Sequence, residues 1–361
     1  MKPITIKRPT LIIHEVRAKA NIQWMVSKAK RLGLHFRPHF KTHQSATVGQ
    51  WFRDAGVERI AVSSVSMAAY FQAHGWQDIT IAFPYNPLEW EEIDQLSENG
   101  RLTVTIESAW ALADLKLKIK HPIRFVIKVD VGYGRTGIKS SDAALIRNLA
   151  DSATEKCQFA GLLAHAGHTY EAVGKEAIEK IHRASIQSLN QLSATFLNKP
   201  FISYGDTPAC SVSEYFEDVS ELRCGNFIYY DLTQAKIGSC REDQIAVVLA
   251  CPIVAQHFDR REVVIYGGAI HLSKDFIEEG GKYYGKIVAF KGLEWQIMEG
   301  VFLKKISQEH GIIQLPEEYD PLVFQIGAIL GVLPVHACLA VDSMTAQQTL
   351  GGVKIEKMTK I

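Results

Sequence analysis

The stretch RLTVTIESAWALADLKLKIKHPIRFVIKVD, residues 101–130, determines the fold class that we predict for this chain. Its two ends, residues 101–107 and 123–130, are rich in the β-branched residues Val, Ile and Thr, as expected of strands. The segment between them, residues 108–119, has the composition of a helix. Strand, helix and strand in this order form the βαβ unit of a parallel sheet.

The same alternation continues on both sides of this stretch. A helical pattern over residues 17–32 ends at Gly33 and precedes the first strand candidate. The strand candidates, in chain order, are residues 34–40, 59–64, 78–84, 101–107, 123–130, 159–167, 201–205 and 221–231. Eight β-α repeats over about 220 residues predict an α/β fold, a TIM (β/α)8 barrel.

The pattern changes after residue 245. The remaining sequence reads as β-rich pieces, among them QIAVVLACPIVAQH (244–257), with no long helix between them. We therefore predict a barrel over residues 17–245 and a C-terminal β-rich domain over residues 246–361. Residues 1–16 contain TLIIHEV, which we expect to pack on the β-rich domain as an extra strand.

Composition excludes several classes of protein. With 47% hydrophobic residues the chain is not a disordered protein, and 40 basic against 39 acidic residues argue against a nucleic-acid-binding surface. No segment is long and apolar enough for a signal peptide or a spanning helix. The six cysteines are scattered singly, which suits a reducing compartment. We therefore expect a soluble cytoplasmic protein without nucleic-acid or membrane partners.

The first strand candidate leads into Arg37-Pro-His-Phe-Lys-Thr-His43. In a TIM barrel, polar residues at the C-terminal ends of the strands lie on the catalytic face. Lys41 stands there among Arg37, His39 and His43, which predicts a cationic, partly desolvated pocket around a lysine suited to forming a Schiff base. A surface turn with ordinary solvated charges is the alternative.

The sequence GYGRTG (132–137) matches the G-x-G-x-x-G pattern but not its dinucleotide-binding context. It follows the fifth strand candidate, the next helix begins only near Ser141, and the acidic residue downstream, Asp151, falls at the end of a helix. We therefore interpret the segment as a βα loop that presents Arg135 to the mouth of the barrel.

Two further loops follow the seventh and eighth strand candidates. Residues 203–207 include Gly205 and Thr207, and residues 223–226 include Gly225 and Asn226. TIM barrels commonly bind phosphate with the loops after strands 7 and 8, because glycines let backbone N–H groups approach the anion. We predict a phosphate site here, with plain turns as the alternative.

Histidines mark two other candidate sites. His165, His168 and Tyr170, in His165-Ala-Gly-His-Thr-Tyr170, end the sixth strand candidate and are placed to contact a cofactor ring or a substrate carboxylate. His336 and Cys338 lie two apart on a segment that we read as extended, so both side chains project from one side and form a candidate metal pair. A structural histidine and a buried, inert cysteine are the alternatives.

Together these motifs resemble those of the D-threonine aldolase/D-serine dehydratase family, pyridoxal 5'-phosphate (PLP) enzymes of fold type III with an alanine-racemase-like barrel. The likeness extends from about residue 10 to about residue 345. Its most specific pieces are RPHFKTH (37–43), VDVGYGRTG (129–137), GHTY (167–170), GDTP (205–208), GNFIYYD (225–231) and HAC (336–338).

The resemblance assigns roles to the candidate residues. It implies that Lys41 is the catalytic lysine that holds PLP, that Arg135 lies near the cofactor ring and that Tyr170 is a further cofactor contact. The phosphate contacts that it implies are Gly205, Thr207, Gly225 and Asn226. It also implies a divalent metal on His336 and Cys338, with zinc the first expectation and manganese the alternative, and a homodimer.

The chain departs from the family at two of these places. Asp206 stands where the family often has a small residue or asparagine, so that a carboxylate would lie near the phosphate unless it points outward. Val335 stands where the family usually has asparagine, so that a contact supporting the metal histidine would be lost.

The resemblance implies a lyase that acts on a β-hydroxy-D-amino acid. We expect β-elimination to a keto acid and ammonia, with Lys41 removing the Cα proton and the metal assisting departure of the hydroxyl group. Cα–Cβ cleavage to glycine and an aldehyde would use the same residues. Two more functions stay open: a racemase, with a second base such as Tyr266, Tyr283 or Tyr284, and a PLP-binding protein without turnover.

Overall fold

The computed structural model of the chain describes residues 6–359. In chain order the strands are β1 Thr10–Ile13, β2 His35–Phe36, β3 Arg59–Val62, β4 Asp78–Pro84, β5 Arg101–Ile106, β6 Ile123–Asp130, β7 Ile138–Lys139, β8 Cys157–Ala164, β9 Ile202–Tyr204, β10 Glu221–Leu222, β11 Val247–His257, β12 Glu262–Tyr266, β13 Ile277–Glu278, β14 Lys282–Tyr283, β15 Gly285–Lys291, β16 Glu294–Ile306, β17 His310–Gln314, β18 Ile329–Pro334 and β19 Gln347–Thr349. The helices are α1 Glu15–Arg31, α2 Ala46–Asp54, α3 Val65–Ala73, α4 Trp90–Glu98, α5 Ala109–Lys118, α6 Ala143–Asp151, α7 Lys175–Ser193, α8 Thr207–Val212, α9 Leu232–Lys236 and α10 Ala337–Ser343.

Eight parallel strands form the barrel, in the order β2-β10-β9-β8-β6-β5-β4-β3. A single parallel bridge between His39 and Ala61 joins the two ends of this sheet, where Ala61 N donates to Pro38 O (2.9 Å) and Phe40 N donates to Ala61 O (2.8 Å). The (β/α)8 barrel predicted from the sequence is therefore confirmed. The short strand β7 is an addition that pairs only with β6.

Several barrel strands are shorter than the apolar runs that predicted them. The run at residues 221–231 contributes only Glu221–Leu222 to the sheet and then turns into a 3-10 helix at Asn226–Ile228. Tyr230 has φ +47°, a left-handed conformation that cannot continue a strand. The apolar character of this run reflects burial, because residues 221–231 are all buried in a loop.

The second sheet has the order β12-β17-β16-β15-β18-β11-β1-β19, and β12 also pairs with β11. Six strands therefore close into a ring of antiparallel pairs, which confirms the predicted β-rich domain. β1 extends this sheet: it pairs antiparallel with β11, Thr10 opposite Ala250, and parallel with β19.

The two sheets belong to two compact units that are interleaved along the chain. The barrel unit comprises Ile22–Phe227, Ile237–Ser239 and the chain from Met358 onward. The β-rich unit comprises the chain up to Asn21, Ile228–Lys236 and Cys240–Lys357. Within residues 6–359, none of the helices is long and apolar enough to span a membrane.

Candidate functional site

Six basic side chains converge at the C-terminal ends of the barrel strands. Lys128 lies on β6, and the others follow β2, β6, β8 and β10. We call this set the cationic cluster, and its members are His39, Lys41, Lys128, Arg135, His165 and Arg223. Lys128 and Arg223 are buried, whereas Lys41 and Arg135 are exposed. The cluster therefore extends from the barrel interior to solvent.

The charges in the cluster act on one another. Burial, and then the nearby charge of Lys41, lower the pKa of His39 well below its ordinary value. The pKa of His165 is lowered in the same way by burial and then by Lys128, while its Nδ1 lies 2.6 Å from Gly205 O. Burial, followed by Arg223 and Arg135, lowers the pKa of Lys128 well below its ordinary value. This excess of positive charge is suited to an anionic ligand.

The desolvated lysine of the cationic cluster is not the one that the sequence predicted. Lys41 is exposed, whereas Lys128 is only 7% exposed. Lys128 was not anticipated as a site residue, although a lysine between the apolar residues Ile127 and Val129 of the run IRFVIKVD was a signal for it. Arg223 lies in a predicted loop where the sequence pattern indicated no role for it, whereas His165 was one of the two histidines expected at the end of the sixth strand.

Two members of the RPHFKTH motif do not belong to the catalytic face. Arg37 is buried inside the barrel, where its guanidinium pairs with Glu221 (2.9 Å) and Asp78 (2.8 Å), and Asp78 is the first residue of β4. His43 is fully buried against Phe40 and burial lowers its pKa to about 3. The motif therefore supplies a buried ion pair and a core histidine as well as His39 and Lys41.

The glycine-rich loop is a βα loop, as predicted. Asp130, at the end of β6, accepts hydrogen bonds from Gly132 N and Gly134 N, both at 3.0 Å, and Glu107 accepts one from Gly137 N (2.7 Å). The next helix, α6, begins only at Ala143. The loop therefore lacks the helix N-terminus of a dinucleotide site, and it carries Arg135 above the Tyr133 ring at 5.2 Å.

A 3-10 helix at Gly167–Glu171 carries His168 and Tyr170. The His168 ring stacks on Tyr133, with ring centroids 6.1 Å apart, and its buried Nδ1 has no hydrogen-bond partner among residues 6–359. Tyr170 accepts a hydrogen bond from Thr207 N through its hydroxyl group (3.3 Å). The structure thus brings Tyr170 next to one of the predicted phosphate loops.

The two predicted phosphate loops pack against neighbouring backbone. A Cβ atom at Gly205 would lie 2.4 Å from the Arg223 backbone, and one at Gly225 would lie 2.8 Å from His39 O. Both glycines are therefore required by close packing, whatever else they do. Asn226 follows directly and opens the 3-10 helix Asn226–Ile228.

Thr207 provides the clearest donor for an anion in these loops. It is fully buried, and its hydroxyl oxygen has no hydrogen-bond partner in the part of the chain that the structure describes. A buried hydroxyl group without a partner costs free energy in the ligand-free chain. Together with the cationic cluster, this group fits a cofactor that carries a phosphate.

Asp206 does not point outward. It is the N-cap of α8, where its Oδ1 accepts hydrogen bonds from Ala209 N (2.7 Å) and from Thr169 Oγ1 (2.8 Å). The residue is only 2% exposed, and burial raises its pKa to about 6 even though these hydrogen bonds oppose the shift. The carboxylate therefore ties the turn that carries Tyr170 to the helix that carries Thr207.

In the β-rich unit, His336 and Cys338 do not lie on an extended segment as predicted. β18 ends at Pro334, His336 is the N-cap of α10, and Cys338 is the second residue of that helix. The chain turns here because the Ala337 N–H group is held by the Asp231 carboxylate at 3.0 Å. The two side chains nevertheless interact, since a hydrogen bond joins them.

Acidic groups surround the histidine of this pair. His336 Nδ1 lies 3.0 Å from Asp275 Oδ2. Burial alone would lower the pKa of His336, but the contact with Cys338 and the charges of Asp231 and Asp275 outweigh it and raise this pKa to about 9. Within residues 6–359 no group of three or more His, Cys, Asp or Glu side chains is arranged to hold a metal. His336 and Cys338 are an imidazole and a thiol, a donor pair that suits zinc with further ligands from solvent or substrate.

Comparison with known proteins agrees with this architecture. The family model of the alanine racemase N-terminal domain matches residues 13–233, and a serine dehydratase domain model matches residues 246–348. D-threo-3-hydroxyaspartate dehydratase of Delftia sp. (strain HT23) is 28% identical, over 96% of this chain and 95% of that protein. The structure of its variant in the metal-free form superposes with a TM-score of 0.90 at 26% identity, covering 99% of both chains.

Two further relatives have other names. D-serine dehydratase of Dictyostelium discoideum is 26% identical, over 92% of this chain and 91% of that protein. 3-Hydroxy-D-aspartate aldolase of Paracoccus denitrificans (strain Pd 1222) is 27% identical, over 92% of this chain and 85% of that protein. Since the first model covers more than half of the chain and agrees with its eight-stranded barrel, this protein belongs to the alanine racemase N-terminal domain family.

Proposed function

We propose that this protein is a PLP- and metal-dependent lyase that dehydrates a β-hydroxy-D-amino acid, such as D-serine or 3-hydroxy-D-aspartate, to a keto acid and ammonia. The observation that carries the proposal is the cationic cluster at the C-terminal ends of the barrel strands, with Lys41 at its solvent side. The related dehydratases of D-threo-3-hydroxyaspartate and D-serine support the reaction class.

The barrel residues fit an anionic, ring-shaped cofactor. The Thr207 hydroxyl group is a buried donor without a protein partner among the described residues, and Arg223 and Arg135 add positive charge to the same strand ends. His168 adds a flat ring that already stacks on Tyr133. In the proposal Thr207, Gly205, Gly225 and Asn226 hold the phosphate group, and Arg135, His168 and Tyr170 contact the remainder of the cofactor.

Each residue then has a specific task in the reaction. PLP, when bound, supplies the electron sink that makes the Cα proton of an amino acid removable. Lys41 holds the cofactor and then accepts the Cα proton at Nζ. Arg135 and Arg223 retain the negatively charged groups of the ligands, and the buried amine of Lys128 contributes little charge when it is neutral.

The metal pair has a separate task. His336 and Cys338 would hold a divalent metal, which would supply Lewis-acid assistance to the departure of the β-hydroxyl group. In the overall reaction the Cα proton and the hydroxyl group are lost as water, and hydrolysis then yields the keto acid and ammonia. Zinc is the proposed metal because imidazole and thiolate are its preferred ligands.

The test is an assay of the full chain supplied with PLP and zinc. D-Serine and D-threo-3-hydroxyaspartate are the substrates, their L-isomers are the controls, and the keto acid, the ammonia and the visible spectrum are measured. Keto acid and ammonia should appear with a D-isomer only. K41A should lose both the activity and the visible band, whereas K139A, which removes an exposed lysine of the same unit, should retain both.

Different products would identify a different enzyme. Release of glycine and an aldehyde would replace the dehydratase by an aldolase, the activity named for the relative from Paracoccus denitrificans. Conversion of a D-isomer into its L-isomer would indicate a racemase, and a band without turnover would indicate a PLP-binding protein. Absence of a band in the wild-type protein would refute the assignment of Lys41.

A further inference from the structure

A carboxylate from a distant segment holds the ring of His336. Asp275 Oδ2 lies 3.0 Å from His336 Nδ1, although the two residues are 61 positions apart. Asp275 stands between β12 and β13, and its own backbone N–H group donates to Ser273 Oγ (3.1 Å). Both side chains are close to half exposed, at 42% for His336 and 47% for Asp275.

This contact determines which ring nitrogen is available. A neutral imidazole carries its proton on one nitrogen and a lone pair on the other. Since the Asp275 carboxylate accepts the hydrogen of Nδ1, deprotonation of the ring for metal binding leaves the lone pair of His336 on Nε2. Histidines that bind metals commonly use this arrangement, in which a carboxylate orients the ring and makes the free nitrogen a better ligand.

Neighbouring contacts anchor the backbone around His336, whereas its ring contacts Asp275 and Cys338. Val335 is buried, and its carbonyl oxygen accepts hydrogen bonds from Thr233 N (3.3 Å) and Thr233 Oγ1 (2.8 Å). Asp231 holds the Ala337 N–H group, which anchors the start of α10. Val335 has no polar side chain, so the sequence alone predicted that support for the histidine would be lost. Asp275 supplies that support from another part of the β-rich unit.

We propose that Asp275 is a positioning residue that orients His336 for metal binding through Nε2. The proposal rests on the proposed function, because that function places the metal on His336 and Cys338. Asp275 acts on the metal only through His336. Substitution of Asp275 should therefore change the metal affinity of the protein, which is measured without an assay of turnover.

The test measures zinc affinity of the full chain, by competition with a chromophoric chelator, for the wild-type protein, D275A, D275N and H336A. D275A should bind zinc 10- to 100-fold more weakly, in the range found for such supporting groups. The zinc affinity of D275N should lie between those of D275A and the wild type, because the amide oxygen of the asparagine still accepts the Nδ1 hydrogen. D259N is the matched control, since Asp259 is an exposed carboxylate of the same unit that pairs with Arg260.

A second readout separates positioning from general stabilisation. The visible spectrum of the cobalt-loaded protein reports the ligand geometry, and it should change in D275A but not in D259N. The melting temperature of the metal-free protein should be the same for D275A and D259N. Wild-type zinc affinity in D275A would overturn the role of Asp275 alone. Wild-type affinity in H336A, or no zinc binding by the wild-type protein, would overturn the metal assignment and this inference with it.

Discussion

Asp206 allows the energetics of the candidate cofactor site to be tested by a single substitution. Its carboxylate is buried, its pKa is raised from 3.8 to about 6, and the groups around it are Thr169, Ala209 N, Tyr204 and Arg223. D206N retains an oxygen that can accept hydrogen bonds from Thr169 and Ala209 N but removes the ionisable group. We expect the stability difference between the wild type and D206N to depend on pH.

The sign and size of this dependence follow from linkage. The folded chain binds the Asp206 proton more tightly than the unfolded chain, so the wild type gains stability as the pH falls through 6, and the gain is complete below 3.8. The whole shift of about two units corresponds to about 3 kcal/mol. Between pH 8 and pH 5 the same relation yields about 1.4 kcal/mol in favour of the wild type.

Thermal unfolding of the cofactor-free chain, followed by circular dichroism at pH 5 and pH 8, measures this change. A difference of about 1.4 kcal/mol should move the melting temperature of the wild type relative to D206N by about 2 °C between the two pH values, because the unfolding entropy of 361 residues is about 0.76 kcal/mol/K. D206A should lose the helix cap at both pH values, and D259N, at an exposed site, should show no such pH effect. An equal difference between the wild type and D206N at pH 5 and pH 8 would refute the reasoning.

Three further substitutions test the barrel. R37M leaves Glu221 and Asp78 without their buried partner, so the free energy of unfolding should fall by about 3–5 kcal/mol, measured by thermal unfolding. T207V removes a hydroxyl group that has no protein partner in the described chain, so the melting temperature of the cofactor-free protein should equal that of the wild type. Its PLP affinity, measured by titration, should fall about tenfold, or about 1.4 kcal/mol. K128M removes a buried amine whose pKa is lowered by burial. The wild type should therefore gain stability relative to K128M as the pH rises from 7 towards 10, and thermal unfolding at pH 7 and at pH 10 measures this change.

Local sequence patterns predicted the elements of this fold but not the partners of its side chains. The eight β-α repeats and the change after residue 245 are visible along the chain, because burial on both faces leaves continuous apolar runs. The same runs gave no sign of where a strand stops. Residues 221–231 are all buried, yet most of them lie outside the strands.

The motif RPHFKTH shows most clearly that sequence spacing does not determine where each side chain lies. Spacing placed all its polar residues on one face of the barrel, but Arg37 pairs with Asp78 and Glu221 in the interior, and His43 packs in an aromatic core. The chain bends directly after the two-residue strand β2, and this bend determines which side chains of the motif face the interior. The pattern of the seven residues alone does not indicate the bend.

The sequence by itself determined the barrel, the β-rich domain and the family, because these depend on residue types repeated over many positions. Only the tertiary structure decided that Lys128 is the desolvated lysine of the cationic cluster, that Asp206 caps a helix and that Asp275 contacts His336. Those properties depend on distances between residues far apart in the chain. Burial and charge act through space, so they are set only when the strands have been brought together.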